Sequence, residues 1–197
     1  MPRRVDHALR RRHIADAVCR ITARGGLAAA TFREVAAEAG VSVRLVQYYF
    51  GSKDELLLAT QRRVSERAVA RIAARREGVP DRPRDVLLAV LGSFVPTDDE
   101  SRENMLLFIA LNTATLVDPT LARAEAREVP RSLQAFIAGQ LARADLDGRP
   151  VEAEAAILAG VVPSLAQAVL GGLDTPENAL AVLTYAVDRA LETPRRS

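Results

Sequence analysis

The sequence predicts an all-α chain of about nine helices, and three observations carry that prediction. Hydrophobic residues make up 49% of the 197, yet aromatics only 4% and Trp is absent, so Ala, Leu and Val must build the core. Ala and Leu are strong helix formers. The β-branched and aromatic alternation of strands is missing almost everywhere, and Gly and Pro punctuate the chain at helix-length intervals.

The elements follow in order. A first helix over about 10–24 places Ile14, Ala17, Val18 and Ile21 on one stripe, and Gly25-Gly26 ends it. Thr31 caps a second helix and Glu34 completes a capping box; its apolar positions are Phe32, Val35, Ala36 and Ala39. Gly40 stops that helix, and Ser42 caps a short third one reaching about Tyr48. Ser52, with Glu55 three residues on, opens a long fourth helix to about Arg76. After the turn 77–83, helical patterns run over about 84–95, 99–117, 119–144, 151–172 and 176–192. The basic ends, 1–9 and 194–197, read as disordered.

Charge divides the chain unevenly. Residues 1–53 hold 10 basic and 4 acidic side chains, net +6, whereas 54–197 hold 17 and 21, net −4. A basic head on an acidic body suggests a polyanion partner for the head, although basic arms also serve solubility. No stretch reads as the roughly 18 uncharged apolar residues of a membrane span, and no apolar run follows Arg3 and Arg4 as in a signal peptide. The expectation is a cytoplasmic, nucleoid-associated protein with no membrane partner.

The segment 31–50 reads as two helices around a tight turn. Small Ala36 allows close approach, Gly40 supplies a turn conformation that a Cβ penalises, and Val41, Val46 and Phe50 face inward. Ser42, Val43, Arg44, Gln47 and Tyr48 then point outward from the third helix. An exposed helix carrying Ser, Arg and Gln near its start fits the major groove, where such groups hydrogen-bond to base edges. A lone cap motif marks only a helix start, and a lone exposed Arg is usually just solvated. Here cap, turn glycine, core spacing and outward face agree.

The run Thr31-x-x-x-Val35-Ala36-x-x-Ala39-Gly40-Val41-Ser42, followed by Tyr49-Phe50 and Ser52-Lys53-x-Glu55-Leu56, resembles the DNA-binding domain of the TetR family, named for the tetracycline repressor. The matching part covers about a quarter of the chain. The resemblance implies a DNA-binding domain over 1–53 with three helices and a helix-turn-helix, then a larger helical ligand-binding and dimerisation domain over 54–197. It places Ser42, Val43 and Arg44 at base contacts, Arg44 being the candidate for a guanine. Tyr49 and Lys53 fall at phosphate-contact positions, Thr31 caps and touches the backbone, and Arg33 reaches phosphate or an edge base. Arg10, Arg11 and Arg12 are candidates for phosphate or minor-groove contacts. Two positions depart from the common pattern, which has Tyr where Gln47 stands and His where Tyr49 stands.

The body has no His and no Cys: His7, His13 and Cys19 all precede it. Thiol chemistry, Ser-His triads and His-dependent metal sites are therefore excluded there, and no enzyme, cofactor or metal is expected. A pocket for an unknown, mostly apolar small-molecule effector is expected from Met105, Phe108, Asn112 and Thr113, from Phe136 and Gln140, and from Pro163 and Gln167. Pro130 and Pro163 bend their helices, and Pro163 frees the carbonyl near Ala159. The polar members read equally well as solvated or locally satisfied groups.

The last two helices read as an oligomer seam through Ile157, Gly160, Val161, Leu165, Val169, Leu183 and Val187, with burial inside the monomer as the competing account. The resemblance implies a homodimer there, a palindromic double-stranded DNA operator, and repression relieved by ligand. The second reading is a DNA-bound interaction protein whose C-terminal domain docks a protein partner instead of a ligand.

Overall fold

The computed structural model describes the backbone of residues 2–117, 124–144 and 150–192, and the side chains of 7–114, 131–144 and 150–192. Among the described residues there are nine helices and no strand. They are α1 (Pro2–Ala29), α2 (Phe32–Glu38), α3 (Val43–Phe50), α4 (Lys53–Arg76), α5 (Pro83–Gly92), α6 (Asp99–Val117), α7 (Ala124–Arg143), α8 (Val151–Leu170) and α9 (Pro176–Leu191). The expected residues 119–123, 145–149 and 194–197 lie outside the described set.

Local chemistry sets most boundaries. Gly26 sits at φ +72°, ψ 174°, and interrupts α1 where the glycine pair predicts a stop. The hydroxyls of Thr31, Ser42 and Ser52 accept from the backbone N–H groups of Glu34, Leu45 and Glu55 at 3.2, 3.1 and 3.2 Å. The capping boxes close only by half: the Thr31 N–H goes to the Ala29 carbonyl and the Ser52 N–H to that of Phe50, so neither is available to a glutamate. One expectation is corrected at the N-terminus, because helix α1 begins at Pro2 and 2–9 extend it.

The chain groups into two compact units, Met1–Val69 with Arg102–Ala122, and Ala70–Ser101 with Arg123–Ser197. In the first, Ile14, Val18, Val35, Val46, Phe50 and Leu56 are fully buried around the α1–α3 bundle. A smaller cluster joins Cys19 of α1, Val64 of α4 and Leu107 of α6. Beside it Asp16 accepts from Arg63 at 2.8 Å and from Arg67 at 2.9 Å, and Arg67 also donates to Asn104 at 3.1 Å. The turn after α2 is held by Gly40 at φ +63° and by His13, whose Nε2 lies 3.0 Å from the Ala39 carbonyl oxygen. Glu38 ties α2 to α1 by accepting from Arg20 at 2.6 Å and from Arg24.

The second unit packs α5, α7, α8 and α9 around Leu87, Leu91, Ile137, Leu141, Leu158 and Leu183. Alanines at 155, 179 and 190 let α8 and α9 approach the core closely. Arg84 of α5 grips Asp188 of α9 through two bonds of 2.6 and 3.0 Å. Pro163 lies inside α8, where its missing N–H leaves the Ala159 carbonyl without its helical donor. Helix α8 corrects only the reading that no stretch is long and apolar enough to span a bilayer, since Val151–Leu170 is so by length and composition. Ala155, Leu158, Val162, Ala166 and Val169 nevertheless line one buried face of it.

Two outcomes follow from the first unit. Phe50→Ala removes a fully buried ring and should cost about 3–5 kcal/mol, read as a lowered denaturant midpoint for unfolding of this unit. Hydrogen bonds from Arg20 and then Arg24 hold the Glu38 carboxyl below its ordinary value of 4.5. A depressed native value contributes stability that is present above 4.5 and lost as pH falls through the native value. Glu38→Gln should therefore lower Tm at neutral pH, with the gap from wild type closing as pH drops below 4.5.

Candidate nucleic-acid interface

Helix α3 has only eight residues, and its rotation is set by two of them. Val46 and Phe50, four positions apart, have no solvent exposure, while Leu45 and Tyr49 are half-buried. Val43, Arg44, Gln47 and Tyr48 are thereby turned outward together; Tyr48 is 74% exposed. Ser42 caps the exposed start of the helix through Leu45.

The other candidates lie at the starts of neighbouring helices of the first unit. Thr31 and Arg33 are exposed at the start of α2, and Lys53 is exposed at the start of α4. Among the described residues, no ion pair engages Arg33, Arg44 or Lys53. Unpaired cations on a helical surface attract phosphate without first having to break an internal bridge.

Tyr49 is less free than its position predicts. Its ring lies 4.5 Å from that of His7, 5.5 Å from Tyr48 and 6.4 Å from Phe50. Its carbonyl accepts from Arg11, whose guanidinium stacks 4.6 Å over Phe50. Arg11 therefore braces the bundle, and Arg12 pairs with Glu66 at 3.3 Å; Arg10 is exposed. His7 is the member that the sequence reading missed, since nothing local foretells that α1 extends far enough to lay it on Tyr48 and Tyr49.

The expected effector residues fall in both units. On α6, in the first, Met105 is buried, Phe108 and Asn112 half-buried and Thr113 exposed. In the second, Phe136, Gln140 and Pro163 are half-buried and Gln167 is exposed. Phe136 packs against the core, and Gln140 accepts from Arg143 at 3.1 Å.

The expected seam is reassigned in part. Val169, Leu183 and Val187 are buried within the chain's own second core, because α8 and α9 turn residues 155, 158, 162, 166, 169 and 179, 183, 187, 190 inward. Val161 and Leu165 are half-buried; Ile157 and Gly160 are exposed. Val182 and Tyr185, 39% and 67% exposed, lie on the outer side of α9. Cys19 is buried, which pushes its thiol up to about 11. No group of His, Cys, Asp or Glu suited to a metal ion occurs among the described residues.

This geometry has a counterpart among known proteins. The family model described as bacterial regulatory proteins, tetR family, matches residues 14–60, the segment from the buried stripe of α1 through α2 and α3 into the first part of α4. The HTH-type transcriptional regulator BetI of Burkholderia mallei is 31% identical over 180 residues, covering 80% of this chain and 92% of that protein. A transcriptional regulator from Rhodococcus sp. Rha1 has the same fold at a TM-score of 0.81, with 26% identity over 92% of this chain and 95% of that one. The multidrug binding protein EbrR, solved with imidazole, is 30% identical at a TM-score of 0.60, covering 90% of this chain and 94% of its own. A capped helix-turn-helix on a helical body, with that breadth of likeness, settles the assignment: the chain belongs to the tetR family of bacterial regulatory proteins, which are DNA-binding transcriptional regulators and not enzymes.

Proposed function

We propose that this regulator is a repressor that binds a palindromic operator as a homodimer and is released by a small, mostly apolar ligand. The outward face of α3 carries the reading: Val43, Arg44, Gln47 and Tyr48 project from a helix whose opposite side is locked by Val46 and Phe50. Arg44 is assigned to base edges, where a guanidinium pairs with guanine O6 and N7. Ser42 and Val43 join it, Gln47 and Tyr48 extend the contact, and Thr31, Arg33, Tyr49 and Lys53 hold the backbone. Residues 1–53 are the DNA-binding domain in this reading and 54–197 the ligand-binding and dimerisation domain. The site of action is the nucleoid in the cytoplasm.

The dimer is drawn through the apolar residues that the chain leaves uncovered on α8 and α9, namely Ile157, Gly160, Val182 and Tyr185. A two-fold pair presents its recognition helices to half-sites about one helical turn apart, roughly 34 Å. Ligand release is supported by the likeness to EbrR, a multidrug binding protein. A ligand that favours a conformation unable to place both helices in register lowers operator affinity by its preference for that state.

The test is a gel shift on the promoter flanking the regulator's own gene. Arg44→Ala should weaken binding by roughly 5–150-fold, the equivalent of about 1–3 kcal/mol for one bidentate base contact. Its elution as a dimer should be unchanged. Wild-type affinity in the variant would remove Arg44 from the base contacts, and elution of the wild-type protein as a monomer would remove the two-fold model.

A further inference from the structure

Within the second unit, Arg71 and Arg75 lie one turn apart on the last part of α4, facing the segment that leads into α6. Arg71 donates to Asp98, with one bond of 3.3 Å and a second closer one, and to the Thr97 hydroxyl at 3.2 Å. Arg75 reaches the same hydroxyl at 3.4 Å and makes no ion pair among the described residues. One carboxylate thus faces two guanidinium groups, leaving an excess positive charge. Asp98 is held far below the ordinary carboxylate range, first by its bond to Arg71, so it stays ionised and committed to that partner.

The pair is also short of acceptors. Arg71 is 19% exposed and its Nε is buried with no hydrogen-bond partner. Arg75 is half-buried, with five donors and one long bond to a neutral oxygen. Burial, and then the charge of Arg71, push its guanidinium below its ordinary value. A Cβ on the buried Gly92 would stand 3.2 Å from Arg75 Nη1, so the bare glycine permits this guanidinium to lie against α5. A desolvated, under-bonded fork beside a second cation is costly unless an acceptor of opposite charge arrives.

We propose that Arg75 and Arg71, with the Thr97 hydroxyl, form a binding site for a small oxyanion, the carboxylate or phosphate group of a metabolite. Arg75 supplies the planar fork that matches two oxygens of such a group. Thr97 accepts from both arginines and keeps its own O–H to donate. Arg71 contributes charge while remaining tied to Asp98. The site uses none of the residues assigned to DNA or to the effector, and it does not rest on either assignment.

Thermal unfolding of the full chain tests this, using inorganic phosphate and acetate as separate probes against chloride at equal ionic strength. Above its dissociation constant, the anion that fits should raise Tm by about 3–6 °C per tenfold increase in concentration. A response to phosphate alone or acetate alone identifies the group taken. Arg75→Met should abolish the rise, and Arg75→Lys, which keeps charge and stem but loses the fork, should weaken binding at least about tenfold. Arg44→Ala should leave it intact. No rise over chloride with either anion, an undiminished rise in both Arg75 variants, or a rise lost in Arg44→Ala would each overturn the site.

Discussion

The orientation of α3 in this DNA-binding family member depends on the burial of Val46 and Phe50. A helix of eight residues has little intrinsic stability, so it is held by what it packs against. Anchoring both residues beneath α3 fixes its rotation about its own axis. That rotation decides that Arg44 and Gln47 are presented and Leu45 is not. Arg11 braces the anchor from the far side, stacking on the Phe50 ring while bonding to the Tyr49 carbonyl. A side chain that reads as a DNA contact in the sequence thus serves as a brace in the fold.

The two units are stabilised by different means. The first joins its helices through directional contacts, with Glu38 bound by two arginines and Asp16 by two more. The second relies chiefly on interdigitated aliphatics, with alanines setting the helix spacing; its pairs Arg84–Asp188 and Arg143–Asp81 are exposed, while Arg71 of the Arg71–Asp98 pair is largely buried. Directional pairs therefore fix the helices of the first unit against one another. Non-directional packing suffices where only shape and volume matter.

Much of this was legible from the residues. The caps Thr31, Ser42 and Ser52, the stop at Gly26 and the inward placement of Val46 and Phe50 follow from local rules, because each depends on neighbours within four positions. Two features did not. The extension of α1 to Pro2 brings His7 against tyrosines more than forty residues away, which no local pattern encodes. Helices α8 and α9 carry Ala, Val and Leu around most of their circumference, so no polar stripe separates core from surface. Val169, Leu183 and Val187 consequently look as available to a partner as Ile157 does. The same uniformity makes α8 resemble a membrane span by composition.

The buried thiol of Cys19 has a practical consequence. With its ionisation displaced to about 11, almost none is thiolate at neutral pH. Oxidants and alkylating reagents can reach it only when the contact among α1, α4 and α6 opens. Because it is the sole cysteine in the chain, its modification rate is a built-in clock for local opening of that contact. DNA binding can then be followed as protection of a single sulfur, without adding a probe to the molecule.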